Sequence, residues 1–427
     1  MRVLIAVMLV AIAAGGAQPP DTKAYIPRLE RNLQQNIIPF WYPKTLDTAN
    51  GGYIINHNAK GEPDPRGSKG IVTQSRQVWL FSRAARHGYR SKEMLAAANH
   101  GFRFLRDRMW DKQHGGFYWE VDATGAKAVR PKKHMYGESF ALYALSEYYI
   151  ASGNKEALDL ANRLFALFEK HAHDREFGGY AEYFNQDWSA PPAAEQSYMQ
   201  VTPGIKLMNT HLHLMEALTT YYRASKSPLA RERLIELINI ETNAVVRKRL
   251  GACTDKYERN WTPILGRDAS WDRVSYGHDL ENIWLIIDAG KAAGISTGPF
   301  LDLFRQLFDY SLKHGYDAEN GGFYYTGAFD KPSDDKRKEW WVQAEAAVSA
   351  LYMYRLTGET AYWDVFAKTY DFIEKYLTDW EVGEWHSNVS PSMKPSGGKA
   401  NIWKAGYHNG RAMIECLEIL RELGAGK

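Results

Sequence analysis

The sequence is poor in the features that would tie it to nucleic acid, a membrane or a disulfide scaffold. A net charge of +3 over 427 residues, with no run of lysines and arginines, leaves no electrostatic footprint for nucleic acid. The longest apolar stretch near the N-terminus, Val3 to Ala14, has twelve residues, whereas a bilayer anchor needs about 20. It follows Arg2 and runs into Gly15-Gly16-Ala17, so 1–17 reads as a secretory signal peptide cut after Ala17. No cysteine follows it to carry a lipid. The mature chain is therefore expected to be exported, to the periplasm or outside the cell, and free of the membrane once cleaved. Two cysteines allow one disulfide at most; Cys253 falls in a loop and Cys416 in an apolar helical pattern, so no pair is expected. Linkers and low-complexity stretches are missing as well, which makes 18–427 a single domain.

Aromatic residues, by contrast, are plentiful: 13% of the chain, including 14 Trp and 26 Tyr. Flat rings in such numbers fill cores and also stack on sugar faces. A second feature is repetition. Gly51-Gly52-Tyr53, Gly115-Gly116-Phe117, Gly178-Gly179-Tyr180, Gly321-Gly322-Phe323 and a degenerate Gly383-Glu384-Trp385 recur, their first glycines 64, 63, 143 and 62 residues apart. The long interval is twice a unit, so one repeat has lost its glycines, in the region of Gly251 to Trp261. Six units of 60–70 residues describe an array of supersecondary units.

Each unit carries two helical patterns. One series is apolar nearly all round: Ile71–His87, Tyr136–Ala151, Asn209–Ala224, Gly277–Ala293, Trp341–Leu356 and Tyr407–Leu423. The other keeps a charged face: Tyr25–Ile38, Lys92–Arg108, Asn154–His171, Pro228–Arg247, Pro299–Lys313 and Thr360–Leu377. Helices apolar on every side are buried and amphipathic ones lie outside. The expectation is an all-α toroid, six inner and six outer helices, with short β-hairpins at one rim where the glycine pairs allow tight turns.

Each inner segment opens on polar or aromatic residues, and parallel inner helices bring six such openings to one end of a central pocket. Asn209 and His213 share a helix face, with His211 turned elsewhere. His278 and His408 look equivalent, each beside a glycine and followed by Asp279 or Asn409, two repeats apart and so facing one another. A helix N-terminus disfavours imidazolium, which leaves these rings neutral and able to accept a proton. Two facing bases suit carrying a proton from one face of a carbon to the other. Glu281, three residues after His278, is placed to orient its ring, and Arg76 to hold an enolate oxygen. His213, His278, Glu281 and His408 are also metal-ligand types, although their spacings match no strong metal motif. Glu138, Glu281 and Glu345 are the carboxylates that a glycoside hydrolase on the same toroid would need.

These residues resemble, in order, the motifs of the N-acylglucosamine 2-epimerase superfamily, with the cellobiose 2-epimerases most similar within it. The matching residues are Arg76, Tyr136, Asn209 and His213 in Met-Asn-Thr-His-Leu-His, His278 and Glu281 in His-x-x-Glu, Trp341 in Trp-Trp-Val-Gln-Ala-Glu, and Trp403 and His408 in Trp-Lys-x-x-Tyr-His. The resemblance implies an (α/α)6 barrel acting on a small carbohydrate without metal or other cofactor, as a monomer or dimer. It implies inversion of C2 of the reducing-end glucose of β-1,4-linked disaccharides, by ring opening and a cis-enediolate. His278 and His408 are then the acid/base pair and His213 a supporting histidine. Arg76, Tyr136, Asn209 and Glu281 bind substrate, with Trp341 and Trp403 as platforms for the reducing-end and second sugar. Aldose–ketose isomerases of the mannose–fructose type and N-acylglucosamine 2-epimerases share this chemistry. Members of the superfamily carry acidic residues just before Met-Asn-Thr-His-Leu-His; here Ser197 to Ile205 has none.

Overall fold

A computed structural model describes residues 21–425; the signal-peptide reading of 1–17 lies outside them. Twelve helices alternate between an outer and an inner ring. The outer ones are α1 (Thr22–Arg31), α3 (Ser91–Phe104), α5 (Lys155–Leu167), α7 (Pro228–Asn239), α9 (Leu301–Gly315) and α11 (Thr360–Phe372). The inner ones are α2 (Ile71–Arg86), α4 (Met135–Ser152), α6 (Met208–Ser225), α8 (Tyr276–Ala293), α10 (Trp340–Thr357) and α12 (Tyr407–Gly424). Neighbouring inner helices pack in sequence from α2 to α12, and α12 packs back on α2 while α1 covers α12. The (α/α)6 ring is closed.

Local chemistry sets the ends. Asn154 and Ser227 cap α5 and α7 through their side chains, with Pro228 in the first turn of α7. Gly153, Gly294 and Gly358 end α4, α8 and α10 in the left-handed conformation. Burial separates the two series as their patterns require: every residue of α10 from Trp340 to Met353 is buried, whereas α5 buries one stripe. Five outer helices run on into wider π-turns, at 32–37, 105–109, 168–172, 240–244 and 373–377.

Those turns lead into the rim, where one construction repeats six times. A residue after the outer helix bridges the one seven positions later, an aromatic in every turn but the fourth: Leu46–Tyr53, Trp110–Phe117, His173–Tyr180, Val246–Cys253, Tyr316–Phe323 and Thr378–Trp385. In five turns an aspartate four residues before the first glycine accepts two backbone N–H groups of the turn through Oδ1. Its Oδ2 accepts from a buried lysine that precedes the next inner helix: Asp47–Lys69, Asp111–Lys133, Asp174–Lys206, Asp317–Lys338 and Asp379–Lys399, at 2.6–3.0 Å. Losing one partner of such a pair strands a buried charge, at a cost of about 3–5 kcal/mol.

The fourth turn is the exception. Arg247 stands where the aspartate would be, Val274 where the lysine would be and Ala252 in place of the second glycine. Gly251 survives at φ +77°, so this repeat kept one glycine, and its turn lies at Val246–Cys253. In the sixth turn Glu384 takes the second glycine's place at φ +62°, held by Trp41 Nε1, Lys404 Nζ and Asn409 Nδ2 at 2.6–2.8 Å.

The expected short hairpins are there, as antiparallel bridges across the glycine turns and as the local pairs of 120–121 with 128–130, 246–247 with 252–253 and 388–389 with 395–396, and further pairing joins one unit to the next. The short strand before an inner helix pairs with the next unit's turn, as in Lys69–Val121, Lys133–Phe184, Lys206–Tyr257 and Lys338–Val389, so the rim is a belt stitching neighbours together. Cys253 and Cys416 are both buried and unpaired, Cys253 in a two-residue strand of this belt. At the opposite end, the C-terminal ends of the inner helices hold ion pairs such as Arg223–Asp288 and Arg83–Glu418. No helix among the described residues is long and apolar enough to cross a membrane.

Candidate active site

The inner helices share a register that decides where each polar side chain goes. Count from the first residue of each, and for α12 from Gly406, its N-cap. Position four is Gln74, Glu138, His211, Asp279, Gln343 and Asn409. The first five turn outward and accept the backbone N–H of the aromatic, or of Cys253, in the adjoining rim turn, at 2.7–3.2 Å. At the first and third turns this contact depends on the second glycine: a Cβ on Gly179 would lie 2.8 Å from His211 Nε2, and one on Gly52 2.6 Å from Gln74 Oε1.

His211 therefore belongs to the scaffold. It is fully buried, its Nδ1–H donates to the Leu207 carbonyl (2.7 Å) and its Nε2 accepts from Tyr180 (2.9 Å). His211→Ala orphans the Tyr180 N–H and is expected to cost about 1–3 kcal/mol of stability. The rate per folded molecule should stay near wild type, as an active-site titration beside a denaturant curve would establish. A dead but fully stable variant contradicts this placement.

Positions two, three and six face inward. Position two supplies Tyr136, Asn209 and Trp341; position three supplies His278 and His408, equivalent as their context suggested; position six supplies Arg76, His213, Glu281, Glu345 and Arg411. Above the sixth-position layer lies a cavity of about 500 Å³, open at the rim. Arg76, Tyr136, Asn209, His213, His278, Trp341, Trp403 and His408 all line it. Eight of the nine expected residues are thus brought together.

Arg76 is fixed from three sides. It donates to the Trp403 carbonyl (2.6 Å) and to the Tyr136 hydroxyl (3.2 Å), and its guanidinium lies 4.2 Å from the Phe140 ring centre. Trp341 packs its ring against His278 and His408, centres 4.7 and 5.7 Å apart, with its indole N–H on Glu339 at 2.9 Å. Trp403 is 39% exposed at the mouth. Tyr198, Met199 and Gln200, from the stretch without acidic residues, also line the cavity, with Gln200 held at φ +61°.

Glu281 is the correction. It is fully buried beneath the cavity and accepts from Arg411 at 2.6 Å; no hydrogen bond joins it to His278. Three residues of helix separate position three from position six, but the glutamate continues inward to the axis. There Arg411 meets Glu216, Glu281 (2.6 Å) and Glu345 (2.8 Å) at once. Glu216 and Glu345 in turn accept the Nδ1–H groups of His213 (3.0 Å) and His408 (2.6 Å). That fixes their tautomers and leaves Nε2, with its lone pair, for the cavity. His278 has no such carboxylate in hydrogen-bond contact; the acidic group that acts on it most is Asp255, which accepts from the Asn209 N–H at 3.2 Å.

Burial keeps the imidazoles neutral. It lowers His278 to about 4 although Asp255 pulls the other way. It takes His408 well below the usual range, helped by Arg76 and Arg411, and lowers His213 against the opposing pull of Glu216. Burial raises Glu216, but Arg411 and His213 more than offset it and hold it at about 2. Burial and Glu345 push Glu281 up, against the opposing pull of Arg411.

Sequence reading missed Glu216 and Arg411 and saw Glu345 only as a hydrolytic carboxylate. Glu138 and Glu281 are not available for hydrolysis either: Glu138 supports Phe117 and neither lines the cavity. Glu281, Glu345 and His408 are close enough to share an ion, but the cation already bonded to both carboxylates is Arg411. These donors do not make an open metal site.

Comparison with known proteins places the whole chain in one family. The sequence model of the family described as N-acylglucosamine 2-epimerase (GlcNAc 2-epimerase) matches residues 52–412. A cellobiose 2-epimerase of Dictyoglomus turgidum is 31% identical over 94% of this chain and all of its own. The structure of a cellobiose 2-epimerase from Spirochaeta thermophila superposes with a TM-score of 0.84 at 34% identity, covering 94% of this chain and 98% of that one. A D-mannose isomerase of Marinomonas mediterranea is 25% identical over 94% of this chain and 98% of its own.

Proposed function

The chain belongs to the N-acylglucosamine 2-epimerase family, and from that premise we propose that it inverts C2 of the reducing-end glucose in β-1,4-linked, cellobiose-type disaccharides. The observation that carries the reading is one cavity walled by His213, His278, His408 and Arg76, with two of the imidazoles seated on buried carboxylates. The opened sugar lies with its carbonyl end toward Arg76, whose fixed charge stabilises the oxygens of the cis-enediolate. His408, with Nδ1–H on Glu345, offers Nε2 to the C2 proton; His278, neutral in the empty site, takes up a solvent proton as negative charge develops on the enediolate beside it and delivers that proton to the opposite face. The roles exchange in the reverse direction. Trp341 carries the reacting sugar and Trp403, at the mouth, the second one. No cofactor takes part. The segment 1–17 directs the enzyme out of the cytoplasm, to the periplasm or beyond, where it works as a monomer or dimer.

Aldose–ketose isomerisation is the second reading, favoured by the D-mannose isomerase relative. It passes through the same enediolate and differs in the carbon that receives the proton. NMR of cellobiose, mannobiose, glucose, mannose and N-acetylglucosamine incubated with the enzyme in D2O separates the readings. Epimerisation gives the C2 epimer with deuterium at C2, because imidazole protons exchange with solvent between turnovers. A ketose product with label at C1 replaces the epimerase reading with the isomerase one. Monosaccharides released from cellobiose with C2–H intact refute both.

A further inference from the structure

Two residues at the mouth stand outside the machinery described so far. Glu339 is the sole carboxylate among the residues lining the cavity. Its Oε2 is taken by the indole N–H of Trp341 (2.9 Å), while Oε1 bonds no protein donor among the described residues. Directly across the short antiparallel pair is Asn388, its backbone in register with Glu339. Cross-strand partners in register put their side chains on the same face of the ribbon, about 4.5–5.5 Å apart at Cβ. Asn388 also lines the cavity, and its Oδ1 is shielded and unpartnered. A buried acceptor without a donor carries a desolvation cost that a bound hydroxyl removes.

Position in the fold says which part of a ligand they would meet. Both belong to the rim belt, outward of the helix starts that carry His278, Trp341 and His408. Neighbouring Ser387 and Asn401 are neutral, as are Tyr198 to Gln200 of the lining loop. We infer that Glu339 and Asn388 form a clamp for a pair of adjacent hydroxyls on the second sugar of a neutral disaccharide. Glu339 accepts from one hydroxyl through Oε1, and Asn388 accepts from the next through Oδ1. This rests on the epimerase reading for the orientation of the substrate, although the clamp itself is a matter of binding. A carboxylate facing this end of the ligand also disfavours sugars that carry an acid there.

Calorimetric titration tests the clamp apart from turnover. Cellobiose and glucose are titrated into wild type, Glu339→Gln and Asn388→Ala, and C2 labelling in D2O is followed in parallel. Gln at 339 keeps an acceptor for the Trp341 indole and removes the charge, so the Trp341 fluorescence environment reports whether that bond survives. The expected result is that the cellobiose Kd rises at least about tenfold more than the glucose Kd in Glu339→Gln, the scale of a hydrogen bond to a charged group. A smaller rise of the same selectivity is expected in Asn388→Ala. Equal weakening of both sugars, or unchanged cellobiose affinity in folded protein, overturns the clamp. If wild type binds cellobiose selectively and the variants lose that selectivity while no C2 label appears in any, the epimerase reading fails and the clamp stands.

Discussion

His408→Ala and His278→Ala are each expected to lose a factor of about 10²–10⁴ or more in kcat, the scale for removing a positioned acid or base. Folding should survive in both. His408 gives up its bond to Glu345, but Glu345 retains Arg411 (2.8 Å) and the Trp284 indole (3.0 Å), so no carboxylate is orphaned. His278 makes no side-chain hydrogen bond that its loss would strand, only the ring contact with Trp341. Steady-state kinetics on variants matched to wild type by circular dichroism and thermal midpoint measure the effect. The pH profile of wild-type kcat/KM adds a sign. The base must be neutral, and burial lowers His278 to about 4 and His408 well below its usual value. The acid limb should therefore fall below 6.5, the reference value for histidine. The same depression makes folding stability decline as pH drops from that reference value toward the folded-state values, because only the unfolded chain takes up the protons. A limb above 6.5, or a His408→Ala enzyme within tenfold of wild type, removes the acid/base assignment.

Arg411→Met should be the most damaging single substitution to the fold. The guanidinium is buried, sits 4.2 Å over Tyr407 and bonds three carboxylates that have no other cation among the described residues. Breaking a buried pair by deleting one partner costs about 3–5 kcal/mol, a large part of the roughly 5–15 kcal/mol that holds a domain together. Catalysis falls with it, since Glu216 and Glu345 would carry excess charge beneath His213 and His408. Urea unfolding monitored at several pH values is the measurement. In the variant the stranded carboxyls acquire folded-state values above their unfolded ones, so the deficit should be greatest near neutrality and shrink as pH falls. A deficit that is small, or independent of pH, means the layer is held by packing and not by charge.

The architecture was legible because its signals are periodic. The inner helices lie within one residue of the segments read from apolar pattern at each end, from α2 at Ile71–Arg86 to α12 at Tyr407–Gly424. The π-turns were not visible, since an extra residue in a helical turn leaves the composition unchanged. The aspartate four residues before the first glycine and the lysine before the next inner helix, present in five units, emerge only from an alignment of the six units, because singly neither stands out from the charged residues around it. The fourth repeat shows what that alignment would have taught: aspartate, lysine and second glycine are lost together there.

In the site, the histidines and Arg76 were found because polar groups on an apolar helix are conspicuous. Glu281 was misplaced for a reason internal to helices. A separation of three brings two residues to adjoining surface, but whether their side chains meet depends on what else competes for them, and Arg411 lies 130 residues further along the chain. Glu216 and Arg411 stayed hidden for the same reason. Their partners come from other units, and nothing in a linear reading signals that three carboxylates share one cation. His211 was rightly separated from His213 by phase alone, the fourth position of the helix turning outward and the sixth turning in.

The contact of α1 with α12 has a consequence for how the molecule holds together. An open solenoid has two end units, each packed on one side only, and these fray first and need capping. Here every sector has two neighbours. The final inner helix borrows its outer partner from the beginning of the chain, so no sector can detach without uncovering the apolar flanks of two others. The chain behaves as an arch does around its keystone: stress at one sector is carried by the whole circumference, and the inward-facing residues of six sectors stay in register because none of the six can drift alone.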